Sequence, residues 1–127
     1  MLNTGLSGLL YRRTVSAAAN SFRGLRYAGL HEEAFRMQLF LSLFLVPTAI
    51  FVAVDYLQLI LLILSLLLVL VVELLNTGIE AVIDRIGPEF HELSGRAKDI
   101  GSAAVALSMV AFALVWGSVL TVNYGSL

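Results

Sequence analysis

Glu73, Asn76, Glu80 and Asp84 follow one another at spacings of three, four and four residues in VVELLNTGIEAVIDRIG. At about 3.6 residues per turn they share one stripe of a helix, with Leu74, Leu75, Ile79, Val82 and Ile83 covering its other faces. An ionisable group close to hydrocarbon is costly, and its default reading is functional. A row of this kind can hold a cation or pass protons or ions. A second acidic pair, Glu32-Glu33, precedes the apolar run that starts at Met37, at a depth that brings it beside Glu80. Carboxylates converging at an interface repel one another unless a cation lies between them. Hard oxygen ligands suit magnesium, which binds through carboxylates and phosphate oxygens. His31 and His91 are candidate ligands as well, but neither has a second histidine at ligand spacing, so zinc is not expected.

A further polar stretch, EFHELSGRAKDIGSAA, gathers Glu89, His91, Ser94, Gly95, Arg96, Lys98 and Asp99. Ser94 is expected to cap the helix that follows, whose N-terminus beside Lys98 would favour phosphate. The chain has neither a GxxxxGK[ST] phosphate loop nor a kinase catalytic loop. A nucleotide would therefore be bound by other means.

These groups need elements to carry them, and the composition says which. The chain has 127 residues, 59% hydrophobic and only 13% charged. Ordinary soluble domains are about 45–50% apolar and about 25% charged. Too little polar sequence remains to enclose a soluble core, so lipid is the main solvent. Met37–Val54, Tyr56–Val72 and Ile100–Leu127 are free of charge for 18, 17 and 28 residues. At about 20 residues per span, these are three membrane helices. With no cysteine, disulfides, thiolate catalysis and cysteine-bound metals are excluded. A net charge of −1 says nothing by itself about nucleic acid or acidic partners, and no nucleic-acid partner is expected.

All eight basic residues fall in two places. Arg12, Arg13, Arg23, Arg26 and Arg36 precede the first span; Arg85, Arg96 and Lys98 lie between the second and third. The positive-inside rule then puts the N-terminus and the 89–99 loop in the cytoplasm, with the Asp55 turn and the C-terminus external. Leu6 to Leu30 is broken by four arginines and does not fit a cleaved signal. Leu6, Leu9, Leu10, Phe22 and Leu25 alternate there with arginines, as in an amphipathic helix lying on the bilayer surface. The expected fold is an all-α membrane protein, one domain over 1–127, with a surface helix over about 6–30 and spans over about 34–54, 56–86 and 94–124. Pro47 is a possible kink, and Gly87-Pro88 ends the second span. Counting about 20 residues from Tyr56 places Glu73 just inside the inner interface and Glu80 just outside it. Gly101, Ala104, Ser108 and Ala111 form a stripe of small residues suited to close helix packing. Three spans enclose little volume, so a homo-oligomer is expected.

The run VELLNTGIEAVIDRIGPEFHELSGRAKDIGSAAV, Val72 to Val105, closely resembles the small integral-membrane prokaryotic diacylglycerol kinases. FRGLRYAGLHEEAFR, Phe22 to Arg36, is similar to them in the same order and spacing. The resemblance implies a homotrimer in a bacterial cytoplasmic membrane, with sites formed between protomers. It implies transfer of phosphate from ATP, with Mg2+, to the hydroxyl of membrane diacylglycerol, giving phosphatidic acid. By position, Glu73 looks like the general base with Asn76 beside it, and Glu32 and Glu80 look like the metal-binding carboxylates. The resemblance places nucleotide at Arg13, Asn20, Glu32, Glu80, Glu89, Phe90, His91, Lys98 and Asp99. It places the lipid at Arg13, Phe35, Glu73, Asp84 and Ser102. Three positions depart from the family pattern: Asn20 and Phe22 stand where well-known members have tyrosine and tryptophan, and Gln38 replaces a carboxylate. Asn20 to Tyr27 is also similar to the undecaprenol kinases, which share the fold but use an isoprenoid alcohol. The chemistry of the residues agrees, since phosphoryl transfer asks the protein mainly for positioning and neutralisation of charge. A proton or cation transport subunit would account for Glu73, but not for the 89–99 loop or Glu32. A purely structural scaffold leaves every carboxylate unexplained.

The charge asymmetry makes a direct prediction about topology. Reporters fused at the N-terminus or within the 89–99 loop should read cytoplasmic, and one beside Asp55 external. A cytoplasmic Asp55 would overturn the assignment of the spans.

Overall fold

A computed structural model describes residues 5–125, and the outermost parts of the expected domain, 1–4 and 126–127, lie outside the described residues. Within them the chain is all-helical: α1 (Leu6–His31), α2 (Glu33–Val52), α3 (Tyr56–Ile86) and α4 (Glu92–Tyr124). The last three are long and apolar enough to cross a membrane. Helix is what hydrocarbon demands even of β-branched sequence, because each backbone N–H and C=O must be satisfied within its own segment. α3 has 31 residues, about 46 Å at 1.5 Å per residue, and so exceeds a hydrocarbon core of about 30 Å.

The breaks between helices are short and have local causes. Between α1 and α2 only Glu32 leaves the helical region, at φ −99° and ψ 113°. Its N–H still donates to Ala28, and its carbonyl accepts from Arg36 at 3.0 Å. The Arg36 guanidinium reaches back to the Leu30 carbonyl at 2.9 Å and occupies one of the free carbonyls at the end of α1. His31 stacks on Tyr27 and sets its Nδ1 3.0 Å from the Tyr27 carbonyl, so the ring is engaged within its own helix. α2 runs through Pro47 without interruption. α3 ends where Gly87 takes φ +138°, a conformation that favours glycine. α4 starts two residues before the expected cap: His91 accepts from the Leu93 N–H at 3.2 Å, and Ser94 lies inside the helix. The capping expectation at Ser94 is thus corrected, because the imidazole of His91 already satisfies the free N–H there.

Packing follows one spacing. The enclosed positions of α3 include Leu62, Leu66, Val69, Glu73, Asn76 and Ile83, with Glu80 half-buried among them, in alternating steps of four and three residues. α2 answers with Phe35, Gln38, Ser42, Leu45, Ala49 and Val52, and α4 with Gly101, Val105, Ser108, Phe112, Val115 and Val119. Steps of three and four average 3.5 residues, the repeat that keeps one seam facing its neighbours along a left-handed bundle. α3 packs most extensively on α4 and then on α2, while α1 touches α2. Of the small-residue stripe, Gly101 and Ser108 are on this seam, Ala111 is half-buried and Ala104 is exposed. The stripe steps three, four and three residues from Gly101, which carries it off the seam at Ala104.

The apolar core, Ala49, Leu62, Trp116 and Val119, sits at the Asp55 end of the bundle. A polar clasp closes it. Asn123 donates to the Val52 carbonyl and to Gln58 Oε1, both at 2.8 Å, and accepts from Gln58 Nε2 at 3.2 Å. Gln58 also accepts from the Val54 N–H, while Asp55 caps α3 by accepting from the Gln58 N–H. This ties the α2–α3 turn to the end of α4.

Replacing Asn123 by alanine should lower stability in detergent by about 1–3 kcal/mol, since it leaves the Val52 carbonyl without its side-chain donor. A fall in the unfolding midpoint, with turnover per folded molecule retained, is the expected result.

Candidate active site

The site lies on the same seam, toward the Gly87 end, where polar residues take over from leucine and valine. Glu73 is only 7% exposed and accepts a hydrogen bond from Gln38 Nε2 at 3.2 Å. One turn on, Asn76 is 9% exposed and donates to Glu80 Oε1 at 3.3 Å. A further turn on, Asp84 pairs with Lys98 of α4 at 2.9 Å. The expected single stripe is therefore staggered: Ile83 continues the seam, and Asp84 is exposed beside it. An α-helix turns about 100° per residue, so steps of three and four must alternate to hold one face, and two consecutive fours carry Asp84 past it.

Two buried oxygens in the row have no hydrogen-bond partner: Gln38 Oε1 and Asn76 Oδ1. Buried acceptors of this kind are uncommon and call for an explanation. Asn76 Oδ1 is pressed against the backbone of α4 at Gly101, where a Cβ would collide with it. Glycine there lets α3 and α4 approach with the Asn76 amide between them.

The other expected residues stand around this row. Glu32 is half-buried at the α1–α2 break, while Glu33 is exposed. Phe35, 2% exposed, is three residues from Gln38 on the same face of α2. Arg13 and Asn20 are exposed along α1, where Asn20 accepts from Arg23. Glu89, Phe90, Asp99 and Ser102 are exposed around the start of α4. Among the described residues, no hydrogen bond joins Arg13, Glu89, Phe90, Asp99 or Ser102 to the Glu73–Glu80 row.

Magnesium asks for hard oxygen donors and accepts few of them from protein. The half-buried Glu80 carboxylate meets that chemistry, with Glu32 half-buried at the helix break. Among the described residues no group of three or more histidine, aspartate or glutamate side chains converges, so a cation here would complete its shell elsewhere. A cavity of about 270 Å3 lined by Gln38, Leu41, Leu45, Leu66, Val69, Met109 and Phe112 runs between α2, α3 and α4. A more open apolar cleft, about 510 Å3, lies between Ser21–Ala28 of α1 and Leu74–Ala81 of α3. Neither was legible in the residue pattern, since a cavity is set by side chains from several helices at once.

A family model described as prokaryotic diacylglycerol kinase matches residues 19–120. The chain belongs to the prokaryotic diacylglycerol kinase family. It is 46% identical over 115 residues to a diacylglycerol kinase of Escherichia coli K12, covering 91% of this chain and 94% of that one. It is 44% identical over 117 residues to one of Haemophilus influenzae, covering 92% and 95%, and 39% identical over 116 residues to one of Pseudomonas aeruginosa, covering 91% and 93%. The matched stretch holds every candidate site residue except Arg13.

Gly101→Ala tests the α3–α4 contact. A methyl group there must displace the Asn76 side chain and with it the bond to Glu80. Turnover should fall at least about tenfold, because small misplacements in a preorganised site cost about 10²-fold at the upper end. The unfolding midpoint should move little, since the displaced group is a side-chain tip.

Proposed function

We propose that the chain transfers the γ-phosphoryl group of ATP to the free hydroxyl of membrane diacylglycerol, giving phosphatidic acid, in the cytoplasmic membrane of a bacterium. The observation that carries this reading is the buried Glu73 carboxylate on a span-length helix, held by one amide hydrogen bond, in a chain of this family. A primary alcohol is a weak nucleophile, and a carboxylate within hydrogen-bond reach takes its proton as the bond to phosphorus forms. Glu73 is that base, and Asn76 beside it orients the reacting groups.

Glu80 and Glu32 are the residues that would hold Mg2+ on the nucleotide phosphates, where the ion neutralises charge on the transferring group. Lys98, with Arg13, brings positive charge to the phosphates; Asn20, Glu89, Phe90, His91 and Asp99 complete the nucleotide side. Asp84 and Lys98 are paired at 2.9 Å, which holds the ammonium near the start of α4. Phe35, Ser102 and Asp84 border the lipid. The apolar cavity that begins at Gln38 supports entry of an acyl chain from the hydrocarbon while the hydroxyl stays at the row.

The assembly is a homotrimer, with α1 on the cytoplasmic surface, the N-terminus and 89–99 loop inside and the C-terminus outside. Among the described residues, Arg13, Glu89, Phe90 and Asp99 have no hydrogen bond to the Glu73–Glu80 stretch, which supports a site completed by a neighbouring copy. The clustering of all eight basic residues on one side supports the orientation.

Glu73→Gln keeps shape and most hydrogen bonding, so it should assemble and bind nucleotide normally. Its kcat should fall by about 10²–10⁴ with Michaelis constants little changed, the mark of an interaction made in the transition state. Glu80→Gln should abolish turnover and weaken the metal dependence of ATP binding, whereas Glu33→Gln should be mild. Labelled phosphate should pass to diacylglycerol in preference to undecaprenol when the two are assayed in parallel. Equal loss from Glu80→Gln and Glu33→Gln would refute the metal assignment.

A further inference from the structure

Gln38, on the second turn of α2, is the side chain that reaches Glu73. Its Nε2 donates to Glu73 Oε2 at 3.2 Å across 35 residues of sequence. Its own Oε1 is enclosed and without a partner. The amide has one sensible orientation, because turned over it would set a carbonyl oxygen against a carboxylate oxygen with no proton between them. The amide therefore leaves an acceptor unsatisfied in order to donate to Glu73. Among the described residues the second carboxylate oxygen, Glu73 Oε1, carries no hydrogen bond. Gln38 also lines the apolar cavity between α2, α3 and α4, so the pair stands where that cavity meets the polar row.

We propose that Gln38 is a positioning residue for Glu73, its amide N–H fixing one carboxylate oxygen so that the other is presented to the lipid alcohol. A glutamate side chain has three rotatable bonds, and one fixed oxygen selects among its rotamers. Phe35, buried on the same face of α2, anchors the turn from which Gln38 extends. Glutamine donates through its own N–H, whereas the carboxyl that the family pattern has in this place could donate to Glu73 only when protonated. The role rests on Glu73 acting as the base.

Gln38→Met has similar length, lacks the donor and removes the unsatisfied carbonyl. In the full-length protein in detergent, with diacylglycerol and magnesium ATP, kcat should fall about 10- to 100-fold while KM for ATP stays within about twofold. The unfolding midpoint should fall modestly, since Glu73 loses its donor while an orphaned carbonyl is removed, and kcat is therefore compared per folded molecule; a purely structural role would leave that kcat unchanged. Added to Glu73→Gln, Gln38→Met should cost less than about a further twofold, because the two side chains act as a unit. Gln38→Leu, shorter and equally apolar, repeats the measurement should the methionine variant not assemble. Unchanged kcat per folded molecule, or an equal loss in both backgrounds, would overturn the proposal. Glu73→Gln alone keeping more than about a tenth of turnover would instead remove Glu73 as the base, a failure visible before the two changes are combined.

Discussion

The hydrogen bond between Gln38 and Glu73 joins two helices at a depth where water is scarce, and much of the bundle is arranged around it. A carboxylate in a span-length helix must face inward and must find a donor. Inward means the seam of α3, the one line along which other helices come close enough to supply a partner. Gln38 occupies the matching line of α2, and Phe35 and Ala49 on that line are buried almost completely. The donor can reach the acid only because the apolar steps on either side of it fix how α2 lies against α3.

The seam changes character along its length, and the change divides labour. Toward Asp55 it is closed by Leu62, Ala49, Trp116 and Val119 and clasped by Asn123 and Gln58. That end is apolar and well partnered, apart from the Trp116 indole N–H, which is buried without an acceptor. Toward Gly87 the same positions hold Glu73, Asn76 and Glu80, and the helices are joined by single polar contacts. Local opening is cheapest where buried apolar contacts are fewest. Under the proposed function, a fixed apolar end and a lightly joined polar end would let substrates enter one half of the bundle without loosening the other.

Much of this was open to reading from residue types. Charge-free runs disclosed three spans, because apolar length is set by bilayer thickness and by nothing finer. The acidic row was legible because carboxylates are so rare in such helices. What escaped was whatever depends on two helices at once. Gln38 reads as a lost carboxylate until α2 is laid against α3, and only then does it become the donor to Glu73. Ser94 reads as the cap of α4 by propensity, yet His91 reaches the first N–H groups three residues earlier. Asp84 shares a stripe with Glu80 by spacing, but the seam passes through Ile83. Periodicity drawn from one helix in isolation errs by a residue after a few turns, and packing decides which residue.

Asn76 shows how closely the helices constrain the site. Its amide nitrogen serves Glu80 while its oxygen lies buried against Gly101, so the side chain has no room to exchange one partner for another. Gly101 in turn stands three residues after Lys98, whose ammonium is held by Asp84. One register between α3 and α4 thus fixes a carboxylate, an amide and a cation along about three turns of helix. Sliding α4 by a single residue would bring a side chain onto Asn76 and carry Lys98 away from Asp84 together. In a family whose chemistry consists mainly of placing charges correctly, shared register is an economical way to place several at once.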